Sequence, residues 1–170
     1  GVDSMIETAE NLADEYKISR EQQDVFAHKS QYKANEAQKN ALFNDEIIPV
    51  TIPIKKGEPI ICNKDEHPRL SSVEKLSALK PIVRADGTVT AGNASGVNDG
   101  AAALIIASDD AVKKYNLNPI CRILGMQSAG VPPRIMGIGP VFSTRKLLDK
   151  LNMSLSDFDI IEINEAFAAQ

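Results

Sequence analysis

Apolar positions recur three and four residues apart at the start of the chain. Met5, Ala9, Leu12, Ala13 and Tyr16 share one face of a helix that the pattern ends near Lys17. Ser4 with Glu7 three residues on has the spacing of a capping box, and Ser19 with Gln22 repeats it. The second box opens a run of good helix formers reaching Leu42, with a thin apolar stripe through Phe26, Ala34, Ala37 and Ala41, so a long, partly solvated helix is expected. Ile48, Val50, Ile52 and Ile54 then alternate as in a strand, and Pro49 and Pro53 confine that strand to a sheet edge or an irregular arm.

Residues 55–80 are turn-rich and charged, an excursion with one short helical candidate over 72–79. From Ile82 the character changes. The short apolar run 101–107, bounded by turn and cap signals, predicts a buried strand, and Ser108 caps a short helix to Tyr115. A strand over 121–128, a Gly/Pro-rich link over 129–140, an amphipathic helix over 141–151 and a last strand at 160–163 follow. That last strand delivers Asn164 and Glu165, with a helix expected to begin at Glu165. Strand, helix, strand at this spacing is a βαβ unit, which makes the fold class α/β. One shift of composition, near Lys80, separates a polar helical half from the α/β half.

Composition narrows the partners. With 43% apolar and 25% charged residues the chain reads as soluble and globular. A net charge of −4 provides no global positive field for nucleic acid or an anionic membrane, so neither is an expected partner and an anionic ligand needs a local basic site. Cys62 and Cys121 lie far apart in no C-x-x-C pattern, which suggests neither a disulfide framework nor a zinc site and fits a cytoplasmic, reducing compartment. No apolar run has membrane-spanning length, and no signal-peptide pattern opens the chain.

Chemistry gathers at the carboxyl ends of strands in open α/β sheets, where Asn164 and Glu165 stand. Asn164 suits two roles that use different atoms: an N-cap for the next helix, or an amide that holds a water or donates to a carbonyl oxygen gaining charge. The stretch T-A-G-N-A-S-G-V-N-D-G, residues 90–100, has glycines at 92, 96 and 100. They permit close approach to a ligand or positive φ, or simply a tight turn, and Ser95 is the best polar contact there. Arg69, in D-E-H-P-R, is either a phosphate partner or a solvated charge. His28, in the middle of a helix, and His67, before a proline, have no paired Ser or Cys nearby in sequence, so neither is expected to be catalytic. Cys121 is expected to be a small buried hydrophobe, and Cys62 has no local activator. Met136, in R-I-M-G-I-G-P, lines a narrow channel or packs a turn.

Longer strings say more than spacing. S-M-I-E-T-A-E-N-L-A, I-S-R-E-Q-Q-D, T-V-T-A-G-N-A-S-G-V-N-D-G-A-A-A, M-G-I-G-P and N-E-A-F-A-A-Q, in this order, resemble the thiolase family along the whole chain. D-S-M-x-E-T-A-E-N, D-E-H-P-R and G-V-N-D-G-A-A-A-L-I-I-A-S make the members acting on 3-oxoadipyl-CoA the most similar. The resemblance implies a layered αβαβα fold of two similar halves, with a loop domain covering coenzyme A, of which this chain is a middle segment. Residues 1–87 correspond to the later part of the loop domain, 88–117 to the end of the first half, and 118–170 to the start of the second.

The same likeness assigns roles. Asn164 holds the water of an oxyanion hole, and Ala91 and Ser95 line the pantetheine arm. Arg69 approaches the nucleotide end, and Met5, Met136, Ala166 and Phe167 wall the acyl tunnel. The implied reaction is thiolytic cleavage of a 3-oxoacyl-CoA by coenzyme A, a substrate, with no metal or redox cofactor, in a homodimer or homotetramer. The family's nucleophilic cysteine lies in an upstream C-G-S-G-type segment, and its G-H-P-x-G histidine and second cysteine lie downstream. None of these motifs is present here, so the segment alone is not expected to catalyse, and Cys62 and Cys121 do not replace them. Ser4 stands where many acetoacetyl-specific members carry histidine, which favours a longer, polar acyl group. The alternatives are a general acetyl-CoA acetyltransferase and a non-catalytic coenzyme A-binding or assembly module.

Overall fold

Helices form where the sequence supplies caps. In the computed structural model, which describes residues 3–170, α1 spans Met5–Tyr16 and α2 spans Arg20–Lys39. Ser4 Oγ accepts from the Glu7 N–H at 3.2 Å, and Lys17, left-handed at φ 57°, ends α1. Ser19 and Gln22 exchange both bonds of a capping box. Glu7 does not complete the other box. Its carboxylate accepts from Arg84 Nε at 2.7 Å, a charge-assisted bond stronger than one to a neutral backbone amide. α2 stops at Lys39, short of Leu42, and Ala41 beyond it sits at φ 56°, outside helical geometry.

The faces these helices bury differ from their apolar stripes. α1 buries Ala9, Leu12 and Ala13 as expected, while Met5 and Tyr16 at its ends stay half exposed. α2 buries Gln23, Asp24 and Ala27, and Phe26 of the expected stripe is exposed. Polar contacts decide the matter, because Asp24 accepts from Arg20 Nε at 2.8 Å and from Asn93 Nδ2 at 3.0 Å. Next come β1, Val50–Ile52, and β2, Ile60–Cys62, an antiparallel pair with Val50 opposite Cys62. β1 is shorter than the alternation over 48–54 suggests, since Pro49 and Pro53 bound it, and β2 arises inside the stretch read as an excursion. α3, Val73–Ser77, is capped by Ser72, and Arg20 Nη2 donates to the Leu76 carbonyl in its last turn at 2.6 Å and to the Leu79 carbonyl just beyond it at 3.0 Å.

Residues 3–96 with 165–170 form one unit and residues 97–164 a second. The core of the first is half polar: seven buried apolar residues accompany Thr8, Glu10, Asn11, Gln23, Asp24, Thr90 and Asn93.

In the second unit α4, Asp109–Lys114, is capped by Ser108, a 3₁₀ segment runs Pro133–Ile138 within the link, and α5 spans Gly139–Leu151. Gly125 lies against α5, where an added Cβ would come within 3.1 Å of Leu147 Cδ1. The strands expected at 101–107, 121–128 and 160–163 have no ladder among the described residues, so the βαβ unit is not closed there. Ile105 is 94% exposed, not buried. Extended backbone becomes a strand only when a second segment takes its N–H and C=O groups, and none of the described residues does. Cys121, at the start of one such segment, is therefore exposed, and Cys62 is half-buried.

Candidate functional site

Residues 88–96 fold as a loop in which side chains as well as backbone hold the turn at 90–93. Asn93 Oδ1 accepts from the Thr90 N–H at 2.8 Å, and its Nδ2 donates to the Thr88 carbonyl at 2.9 Å as well as to Asp24. Thr90 Oγ1 accepts from the Gly92 N–H at 3.1 Å. The glycines of this loop are not at positive φ; they make room for protein. A Cβ on Gly92 would meet Leu76 Cδ2 and Leu79 Cδ1 at 2.6 Å, and one on Gly96 would collide with the His67 ring. Gly100 has no such neighbour.

The far side of the loop pairs with the turn at the end of the chain. Ala94 bridges Phe167 in antiparallel sense, the Ser95 N–H donates to the Ala166 carbonyl at 2.8 Å, and the Ala168 N–H donates to the Asn93 carbonyl at 2.9 Å. These bonds explain why the helix expected from Glu165 does not form: the backbone groups a helix ladder would use are already committed to the loop. Ser30 Oγ donates to Glu165, which fastens the turn to α2 as well.

This pairing unites three of the residues singled out from sequence, Ser95 on the loop with Ala166 and Phe167 on the turn, and Ala91 lies earlier on the same loop. Ala91 and Ser95 are exposed, and the Ser95 hydroxyl has no hydrogen-bond partner among the described residues. Arg69 belongs to the same unit. Its N–H donates to Gln31 Oε1 at 2.7 Å, while its exposed guanidinium has no ion-pair partner among the described residues. His67 holds D-E-H-P-R against Gly96, and His28 Nδ1 lies 2.7 Å from the Ser71 carbonyl, a structural contact for each histidine. Met5, the first residue of α1, is 53% exposed. Asn164 and Met136 lie in the second unit, both exposed, Asn164 at its last position and Met136 in the 3₁₀ segment.

Charge is managed locally. Arg84 donates to Glu7, Asp14 and Asn11, and the bond to Glu7, then that to Asp14, holds its pKa above the usual arginine value. A shallow concavity beside α5, lined by Asp149, Asn152, Ser154 and Asp157 among others, contains none of the residues above. Among the described residues no group of three or more His, Cys, Asp or Glu could hold a metal ion, and no helix is long and apolar enough to cross a membrane.

Residues 3–110 match the thiolase N-terminal domain and residues 117–170 the thiolase C-terminal domain. The chain belongs to the thiolase family. Beta-ketoadipyl-CoA thiolase of Pseudomonas putida is 60% identical over 171 aligned residues, covering all of this chain and 42% of that thiolase. Among solved structures, the acetyl-CoA acetyltransferase of Bacillus anthracis matches with a TM-score of 0.92 at 51% identity, over 97% of this chain and 42% of its own. Human mitochondrial 3-ketoacyl-CoA thiolase in complex with CoA matches with a TM-score of 0.88 at 49% identity, over 97% of this chain and 41% of its own. The fold is thus a partial thiolase α/β fold, and the chain spans about 42% of the length of the curated thiolases it matches.

Sequence reasoning passed over the framework beneath the loop: Glu10, Asp24, Thr88 and Arg84. One signal was available, a carboxylate at position 10 between Ala9 and Ala13, where α1 turns its apolar side inward.

Proposed function

We propose that this chain is part of a thiolase that cleaves 3-oxoadipyl-CoA with coenzyme A to give succinyl-CoA and acetyl-CoA. The observation that carries the reading is the 60% identity, along the whole chain, to the Pseudomonas putida protein named beta-ketoadipyl-CoA thiolase. A cysteine thiolate outside these residues attacks the ketone carbon. The bond between the α-carbon and that carbon breaks, acetyl-CoA leaves as an enolate and takes up a proton, and the thiol of coenzyme A then displaces the enzyme cysteine from the acyl thioester. Such a reaction needs donors aimed at two developing oxyanions. Asn164 orients the water of one of them.

Ala91 and Ser95 line the pantetheine arm, Arg69 meets the nucleotide phosphates, and Met5, Met136, Ala166 and Phe167 wall the acyl tunnel. The unpartnered Arg69 guanidinium and Ser95 hydroxyl support this, since both are exposed donors on one unit. Residues 1–87 are the later part of the loop domain, 88–117 the end of the first half and 118–170 the start of the second, in a cytoplasmic homodimer or homotetramer. Segments 101–107, 121–128 and 160–163 then pair with strands from the remaining polypeptide.

The test uses the full-length polypeptide carrying these residues, 3-oxoadipyl-CoA and coenzyme A, with both acyl-CoA products quantified by chromatography. Turnover is expected, and Asn164→Ala should lower kcat by about 10²-fold, the size of a lost oxyanion donor. No turnover, or an unaffected Asn164→Ala enzyme, would overturn the proposal. The match to the Bacillus anthracis acetyl-CoA acetyltransferase favours a second reading, a general acetyl-CoA acetyltransferase. A kcat/KM for acetoacetyl-CoA above that for 3-oxoadipyl-CoA would select it.

A further inference from the structure

Glu10 is 1% exposed, and no cation lies within ion-pair distance of it among the described residues. Its carboxylate is met by donors from one place only: the Thr88 N–H at 2.9 Å to both oxygens, the Thr88 hydroxyl at 2.9 Å, and the Val89 N–H at 2.9 Å. Gly87 makes the approach possible, since a Cβ there would collide with Glu10 Oε1. A buried carboxylate without a cation is a poor source of stability, and an apolar residue of similar volume often does better. What it supplies is geometry, because two consecutive amides and a hydroxyl converging on one rigid acceptor fix the direction in which the backbone leaves Val89.

That direction leads into the loop. Two residues past Val89 stands Ala91, then Asn93, locked by Asp24, and then Ser95, bonded to Ala166. Gln23 completes the base by donating to Thr88 Oγ1 at 2.9 Å.

We propose that Glu10 is a positioning residue for acyl-CoA binding, setting the loop at residues 88–96 so that Ala91 and Ser95 face the thioester arm. The proposal rests on the reading that this loop binds coenzyme A. It touches no substrate itself and acts through Thr88 and Val89.

In the full-length enzyme Glu10→Gln keeps the shape but turns an amide donor toward donors. It should raise KM for coenzyme A about tenfold with kcat within about twofold, the pattern of lost uniform binding. Glu10→Asp, which keeps the charge, should recover part of that loss. Ser95→Ala is the control for the underlying reading. If it raises KM and Glu10→Gln does not, the inference fails alone; if neither changes KM, the coenzyme A reading of the loop fails with it. Should Glu10→Gln not fold, Thr88→Ala removes only the hydroxyl arm and should raise KM about threefold. An unchanged KM in that variant, or a fall in kcat with KM unchanged, would overturn the inference.

Discussion

Residues 97–164 are richer in apolar side chains than residues 3–96 with 165–170, yet they bury far fewer of them. The first unit holds fourteen buried residues, half of them polar and nearly all hydrogen-bonded, Gln23 Oε1 being the one buried side-chain atom without a partner among the described residues. The second buries only Ile135, and leaves Leu104 91% and Ile160 83% exposed. Hydrophobicity is therefore not what separates them. The first unit can satisfy its backbone with its own side chains and caps, whereas the second consists largely of extended segments whose amides need another strand.

The largest effect that distinguishes the two regions is association. With so many aliphatic side chains and unpaired extended segments outward in the second unit, the 170-residue chain should self-associate as its concentration rises. A concentration-independent monomer in sedimentation velocity would break the comparison. Next in size is a matched pair of core and surface truncations followed by urea unfolding. Leu12→Ala, at a 2% exposed site, should cost about 2–5 kcal/mol. Ile105→Ala in the same chain should stay within about 0.5 kcal/mol, as surface substitutions do. A large loss at Ile105 would mean that it is covered in solution.

The smallest effect concerns pH. The Ser154 N–H, then its hydroxyl, hold the Asp157 carboxyl below the usual aspartate range, and Glu74 is lowered by its own backbone N–H and then by Ser72. Both folded pKa values are depressed, so their contribution is present above the unfolded pKa and is lost as pH falls through the folded one. Carboxyl carbon shifts in an NMR titration should show both groups titrating below reference peptides. A midpoint for Asp157 at or above the peptide value would remove the capping contact from solution.

Much of this was legible in the sequence. Three serines, at positions 4, 19 and 108, announced three helix starts, because a cap is a local interaction between residues three apart, and Ser72 caps the short helix expected over 72–79 in the same way. The loop at 88–96 was also visible, and Ser95 and Phe167 fall where the pairing with residues 166–168 occurs. The strands expected at 101–107, 121–128 and 160–163 find no partner among the described residues, because periodicity reports which face is apolar and says nothing of what pairs with it. The helix expected after Asn164 failed for a related reason: its backbone groups are claimed by a loop some seventy residues earlier, beyond any local pattern. Glu10 was missed because a buried charge makes sense only once its three donors are known.

The antiparallel bridge between Ala94 and Phe167 has a consequence for synthesis. Residues 88–96 leave the ribosome long before their partner does, and at roughly 5–20 residues per second several seconds pass before the turn emerges. During that interval Glu10 and Asp24 can shape only one flank of the nascent loop, and its last hydrogen bonds close late, across the entire stretch translated in between.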